Sequence, residues 1–345
     1  MVLMRQEIME QPAALRNCKE YNAALIRKIV AEIKERNICG TFVAARGTSD
    51  HAGTYGKYLM ETTLGIPVAM AAPSVVTVYG KDLKLANYLV IGISQSGKAA
   101  DAIEVLNNAN KAGALTIAIT NDEESPMAKA AKYHLFCDAG LERSVAATKT
   151  FTTEMYLMAL LIAEWAGDND LKKKLDEVPE NIAKIFEEAE EFKNKAQRYR
   201  YMSDCFVLSR GLNYPIALEA GLKIQETCYV RAKAYPVSDF YHGPLAMVDK
   251  DTPVFVYAPD GPVVKDMSDI ITRLNDLDAE LIVISNNEEL LAKGCCSFRI
   301  PYTNDDAISP FYNTIVAQLF ACELSLAKGL NPDQPRSLKK VTITK

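Results

Sequence analysis

Histidine is scarce in this chain, with three in 345 residues. Its eight cysteines (Cys18, Cys39, Cys137, Cys205, Cys228, Cys295, Cys296 and Cys322) show no CxxC spacing. Only Cys295 and Cys296 are close in sequence, and adjacent cysteines rarely pair with each other. A Cys/His zinc site is therefore not expected. Net positive charge is missing too: the formal charge is −5, so nothing draws the whole molecule to nucleic acid or to a membrane surface. An anionic substrate would need a local positive site. There is no long apolar run either, since the stretch Met155–Ala163 is bounded by Glu154 and Glu164 and is far too short to span a bilayer. The N-terminus, "MVLMRQEIMEQPAALRN", is charged and lacks a signal-peptide core. These absences point to a reduced, cytoplasmic, globular protein. With 345 residues, 49% of them hydrophobic, there is material for about two domains, each with its own core.

What is present is an alternation. Residues 18–37 put Ile26, Ile29, Val30 and Ile33 on one stripe of an amphipathic helix. Short apolar strands then alternate with helices: "GTFVAA", "PVAMAA", "YLVIGI", "LTIAIT" and "HLFCDAG" are strands, and "HAGTYGKYLMETTL" and "AADAIEVLNNANKAG" are helical. Fully apolar strands between helices imply an α/β fold with a parallel sheet covered on both faces. The second half repeats the order at a constant offset. Gly47 to Gly211 and Ser94 to Ala258 are each 164 apart, and Thr120 to Ser285 is 165. Such agreement marks a duplicated domain. Between the copies, "DNDLKKKLDEVPENIAKIFEEAEEFKNKAQRYRYM" reads as a charged helical connector with a solvated face. The expected division is an N-terminal helical segment (1–37), a first domain (38–168), the connector (169–200), a second domain (201–330) and a tail (331–345).

The strand "YLVIGI" ends abruptly in "ISQSGKAAD". Ser94, Gln95 and Ser96 offer hydroxyls, an amide and backbone N–H groups at a helix start, and Gly97 permits close approach. The loop is either a phosphate cradle or a turn in which a serine caps the helix. A second loop of the same kind, "ARGTSDHAG", adds Thr48 and Ser49 and favours the cradle. In the second copy the counterpart is "APDG", without serine or glutamine, so the first half is the expected anion binder. "LERSVAATKTFTTE" is small and hydroxylated, and suits a sugar-lining turn or a helix cap equally. "EAGLKIQET" spaces Glu219, Lys223 and Glu226 at i, i+4 and i+7 on one helix face. That is either an exposed charged stripe or, given the apolar neighbours, a buried cluster with tuned acidity. His242, in "DFYHGPLAM", sits in turn chemistry and is either structural or catalytic. The C-terminal "NPDQPRSLKKVTITK" is either a free basic tail with a strand-like end or a segment folded back over a site.

Taken in order, "RGTS", "SQSG", "YPIALEAGLKIQE", "HGPLAM" and "DQPRSLKK" resemble the sugar isomerase (SIS) domain pair of glucosamine-6-phosphate synthase, over roughly residues 20–345. The resemblance implies two tandem flavodoxin-like domains, each a parallel sheet sandwiched by helices, in a homodimer that binds a sugar 6-phosphate. It further implies that Thr48, Ser49, Ser94, Gln95 and Ser96 hold the phosphate, with Ala99, Val145 and Ala147 at the same subsite. Glu226 would move a proton between C1 and C2 beside Lys223, and His242 would open the sugar ring from the partner subunit. Lys340 would reach the carbonyl carbon through a Schiff base. Two departures stand out: Lys98 and Ala99 replace the acid and hydroxyl of the usual "SQSGET", and Ala147 stands where a serine is usual.

The chain begins Met1-Val2 with no glutaminase domain before it, so the expectation is chemistry without an internal ammonia source. The leading reading is an amino-sugar phosphate deaminase and isomerase, turning glucosamine 6-phosphate into fructose 6-phosphate and ammonia without metal, nicotinamide or other cofactor. Alternatives are another phosphosugar aldose–ketose isomerase, a fructosyl-amine 6-phosphate deglycase, a synthase subunit fed by a separate glutaminase, and a non-catalytic sugar-phosphate sensor.

Overall fold

A computed structural model describes residues 2–340. The apolar runs form two five-stranded sheets, parallel throughout. The first contains β1 (Gly40–Ala44), β2 (Val68–Met70), β3 (Tyr88–Ser94), β4 (Leu115–Thr120) and β5 (Tyr133–Phe136), in the order β2-β1-β3-β4-β5. The second contains β6 (Asp204–Ser209), β7 (Arg231–Pro236), β8 (Pro253–Tyr257), β9 (Glu280–Ser285) and β10 (Cys296–Arg299), in the order β10-β9-β8-β6-β7. Read from its other edge, the second order repeats the first. Both are the doubly wound arrangement in which the chain reverses its direction of travel between the first and third strands, and ligands gather beyond the carboxyl ends there. The duplication seen as a sequence offset is thus a duplication of topology. β4 is buried at every residue, as a strand covered on both faces should be.

By their contacts the described residues fall into two compact units that interleave along the chain. The first-half unit takes residues 10–142, 147–177, Lys339 and Lys340; the second-half unit takes 2–9, 143–146 and 178–338. In the first, the helix Gln11–Glu35 starts earlier than its isoleucine stripe suggested, because Gln11, Ala14, Leu15 and Cys18 continue the buried face and a proline sits in its first turn. The helix Lys149–Ala166 is buried from Lys149 to Ala163, and in the second-half unit the helix Ser309–Ala327 is buried from Ser309 to Ser325. Even so, among the described residues no helix is long and apolar enough to cross a membrane.

One expectation is corrected, two strands are added, and one of two readings of the tail is removed. The charged connector is not simply solvated: Leu171, Leu175, Val178, Ile182 and Ile185 recur at helical spacing and are buried, as are Phe192 and Ala196 further on. Its charge content concealed an apolar stripe. Strands β7 and β10 were not expected, since "RAKAYP" and "CSFR" carry too few apolar residues to stand out. Of the two readings of the tail, the free one fails as far as the tail is described. Asp333 accepts hydrogen bonds from the backbone of Leu3 (2.9 Å) and Met4 (2.8 Å), capping the helix Leu3–Met9, and its carbonyl accepts from Val145 N–H (3.1 Å). The Arg336 guanidinium lies over the Tyr229 ring, 4.1 Å from the centroid. The strand-like end expected at 341–345 lies outside the described residues.

Two glycines mark the turn after the third strand of each copy. Gly97 has φ +61°, and a Cβ there would collide with Ser125, whose hydroxyl caps the helix Pro126–Ala130 by accepting from Ala128 N–H (3.2 Å). Gly261, with φ +143°, makes room instead for Asp306: a Cβ would lie 2.7 Å from Oδ1 of that carboxylate. Asp306 is 8% exposed, and burial, reinforced by the charge of Asp305, pushes its carboxyl up to about 6.

Gly97→Ala should cost roughly 2–4 kcal/mol by urea denaturation, from left-handed strain plus loss of the Ser125 cap. Asp306→Asn should behave in the opposite way. A carboxyl whose acidity is weakened by folding stabilises the native state only while protonated, and that contribution fades as pH rises through about 6. The variant should exceed the wild type by about 1–3 kcal/mol at pH 7.5, with the gap closing toward pH 4.

Candidate active site

In the first-half unit β1 and β3 are neighbours, in register from Gly40 opposite Tyr88 to Ala44 opposite Gly92, and their carboxyl ends carry both predicted loops. After β1, Gly47 turns at φ +56° and the helix Thr48–Leu64 begins. After β3, Gly97 N–H donates to the Ser94 carbonyl (3.1 Å), and Asn121 N–H donates to that of Gln95 (3.0 Å), fixing the "SQSG" turn. The helix that follows starts at Ala100, with Ala99 in the cap position and no side chain capping it. A serine cap is therefore not why the loop contains serine. Ser96 Oγ instead accepts from Lys98 N–H (3.3 Å) within the turn.

Thr48, Ser49, Ser94, Gln95, Ser96 and Ala99 thus lie beyond the carboxyl ends of two adjacent strands. Ser49 is buried there, and its hydroxyl donates to Glu154 Oε1 (3.0 Å) on the helix Lys149–Ala166, so that proton is committed to a carboxylate. Sequence reading quoted "RGTS" but gave no role to its charged residue. Arg46, between β1 and Gly47, pairs through Nε with Asp101 Oδ2 (2.7 Å) in the first turn of the helix Ala100–Lys111. Fifty-five residues separate the two, and no local pattern announces them. A cavity of about 520 Å³, lined in part by Cys39, Asn87, Tyr88 and Lys111, opens at the opposite end of these strands and is not this site.

The "LERSVAATKT" stretch acts mainly as a cap. Glu142 accepts from Thr148 N–H (2.9 Å), Thr150 N–H (3.2 Å) and Thr150 Oγ1 (2.7 Å), holding the start of the Lys149–Ala166 helix. Lys340 donates to Oε2, the oxygen that also accepts from Thr150 Oγ1, at 2.8 Å. Burial alone would raise the Glu142 carboxyl, but the Lys340 charge and these hydrogen bonds outweigh it and hold the group below its ordinary range. Lys340 Nζ is thereby engaged with a buried carboxylate. Ala147, in the same stretch, is half-buried. Val145 belongs to the second-half unit, where its N–H is spent on the Asp333 carbonyl.

In the second-half unit the helix Tyr214–Cys228 carries the acid–base cluster. Glu219 and Lys223 are fully buried, and Glu226 keeps 22% of its side chain exposed. Lys223 Nζ lies 3.3 Å from Glu219 Oε1 and 2.6 Å from Glu226 Oε2. The exposed-stripe reading is excluded: the apolar neighbours Ile216, Ala217, Ala220 and Ile224 bury this face. Burial would lower the Lys223 pKa, but the two carboxylates more than reverse it, so the group stays an ammonium. Glu226 is consequently a carboxylate anchored by one oxygen and reachable from solvent, which is what a general base requires. His242 lies on an exposed turn, its N–H bonded to the Asp239 carbonyl (3.0 Å), and no described contact joins it to Glu226. At the switch point of this unit Arg210 Nε pairs with Asp266 Oδ2 (3.1 Å), the counterpart of Arg46 and Asp101.

The SIS domain model matches twice, at residues 34–164 and 203–328. A glutamine–fructose-6-phosphate aminotransferase (isomerizing) from Methanothermobacter thermautotrophicus is 36% identical over 341 residues, covering 98% of this chain and 56% of that protein. The chain thus spans little more than half the length of such relatives. Among solved structures, the C-terminal domain of glucosamine–fructose-6-phosphate aminotransferase from Francisella tularensis is 25% identical, with a TM-score of 0.87 over 97% of this chain and 98% of that one. Glucosamine-6-phosphate deaminase from Thermotoga maritima shares the fold, with a TM-score of 0.78 and 22% identity over 99% of this chain and 100% of that one. Two matched segments, one on each of two duplicated sheets, place the chain in the SIS domain family, homologous to the isomerase half of the glutamine–fructose-6-phosphate aminotransferases.

Proposed function

We propose that this chain is an amino-sugar phosphate deaminase and isomerase that converts glucosamine 6-phosphate to fructose 6-phosphate and ammonia. The observation that carries the reading is Glu226: a partly exposed carboxylate fixed through Oε2 by a fully buried ammonium. In the proposed sequence His242 opens the pyranose by moving a proton between O5 and O1, leaving an aldehyde at C1. Glu226 takes the proton from C2 and returns one to C1, so that the C1 aldehyde becomes a hydroxymethyl group and the C2 amine becomes an imine. Water adds to that imine and ammonia leaves, giving the C2 ketone. Lys340 is the proposed alternative nucleophile, forming its own imine at C2 as ammonia departs. For that role it must first part from Glu142 and lose a proton.

The "SQSG" and "RGTS" loops are the proposed phosphate subsite, supported by their meeting at a topological switch point with the serine cap excluded. The exposure of His242 is compatible with service to a second copy of the chain. A second reading has a specific observation in its favour, since the relatives are named as aminotransferases acting on fructose 6-phosphate. It uses the same proton transfer in reverse and differs in its nitrogen source. Ammonia release from glucosamine 6-phosphate, followed with and without glutamine, tests the proposal. Release without glutamine is the expected result, and its absence in a folded protein refutes the deaminase assignment.

Glu226→Gln should reduce turnover by about 10²- to 10⁴-fold while leaving the circular dichroism spectrum and sugar-phosphate affinity near wild type. Lys223→Met should lose turnover for a different reason. It strands Glu219 in the core and should destabilise the protein by about 3–5 kcal/mol. Adding Glu219→Gln should recover much of that stability and none of the activity, a separation readable from paired denaturation and rate measurements.

A further inference from the structure

The chain carries a net charge of −5, yet the hydroxyls and amides of the proposed phosphate loops are neutral donors. A cation beside those donors would add charge-assisted hydrogen bonds to a phosphate dianion. From the Arg46–Asp101 pair we infer that Arg46 is a phosphate-binding residue, oriented by Asp101, and that it determines selectivity for phosphorylated over unphosphorylated sugar. The inference rests on the phosphate half of the proposed function and extends it to Arg46, to which the resemblance assigned no role.

Placement is the first support. Arg46 lies two residues past β1, Asp101 lies in the first turn of the helix after β3, and β1 and β3 are adjacent, so the 2.7 Å pair joins the segments that carry the two loops. Anchoring is the second. Asp101 is only 5% exposed, and its other oxygen accepts from Ala102 N–H (2.9 Å), so the carboxylate is itself immobile. It grips the guanidinium through Nε, while 53% of the Arg46 side chain remains exposed. A guanidinium held by Nε still presents its terminal nitrogens as a planar fork, the geometry that suits two phosphate oxygens.

The duplicated domain supplies an internal control. Arg210 and Asp266 repeat the pair at 3.1 Å, but with 41% and 44% of their side chains exposed, and beside an "APDG" loop without hydroxyls. If the pair were only a brace for this fold, both copies would serve alike. If Arg46 binds phosphate, only the first copy should matter.

Titration calorimetry with inorganic phosphate and with glucosamine 6-phosphate, alongside steady-state kinetics, decides between these. Arg46→Ala should weaken both ligands by about 10- to 100-fold and raise KM with little change in kcat. Binding of unphosphorylated glucosamine should stay as it was. Arg46→Lys should recover part of the loss by restoring charge without the fork, and Asp101→Asn should give an intermediate loss. Arg210→Ala should leave phosphate binding unchanged. Phosphate affinity within twofold of wild type in folded Arg46→Ala, an equal loss in Arg210→Ala, or no phosphate binding by the folded wild type would each overturn the inference. Should the wild type bind phosphate through Arg46 yet release no ammonia, the deaminase reading falls and the inference stands.

Discussion

The buried ammonium of Lys223 is the constraint on which the acid–base half of this protein rests. A lysine with no exposed surface must either give up its proton or be surrounded by negative charge, and here two carboxylates on its own helix supply that charge. Glu219 is wholly interior and Glu226 is not. The same cation therefore balances one carboxylate permanently and holds the other at the surface in a fixed orientation. Neighbouring bonds tie the end of the helix down: Thr227 Oγ1 donates to the Lys223 carbonyl (2.7 Å), and Ser325 Oγ donates to that of Thr227 (2.8 Å). The base proposed for the C1/C2 proton transfer would benefit from such rigidity.

Duplication gave the chain two switch points of one topology, and their chemistry has diverged. In one copy the turn after the third strand holds serine hydroxyls, and its glycine packs against a capped helix. In the other the corresponding glycine accommodates Asp306, a carboxylate whose Oδ1 finds no hydrogen-bond partner among the described residues. A negative charge sealed at that turn is a poor neighbour for a phosphate dianion. The divergence is therefore electrostatic as well as steric, and it gives a physical reason for one copy to be the anion binder.

How much of this was legible in the sequence depended on the range over which each feature is encoded. The apolar strands, the two-copy order and the i, i+4, i+7 spacing of Glu219, Lys223 and Glu226 are local patterns, and all of them reappear in the fold. Whether that charged stripe faced solvent was a tertiary matter, settled by the apolar neighbours on the same helix. β7 and β10 lacked apolar content of their own and became strands because a neighbouring edge was available to pair with. The Arg46–Asp101 pair joins positions in contact only after β1 and β3 have been laid side by side. Glu142 reads as one acid in a hydroxylated loop, yet it caps a core helix and receives Lys340 from the far end of the chain.

The Glu142–Lys340 contact bears directly on the proposed chemistry. A nucleophilic amine must be unprotonated, and a carboxylate held below its ordinary range by that same lysine favours the opposite state. In that pair 24% of the Lys340 side chain is exposed while Glu142 is wholly covered. The ammonium can leave toward solvent, but the carboxylate cannot follow it. Departure would strand Glu142 with its backbone and threonine donors alone, which are enough to keep it capping the helix but supply no countercharge. Imine formation by Lys340 thus carries the cost of breaking a partly buried ion pair, whereas direct attack by water does not. On that comparison water is the easier nucleophile for the proposed C2 imine, and the proposed reaction does not need the tail lysine as a nucleophile.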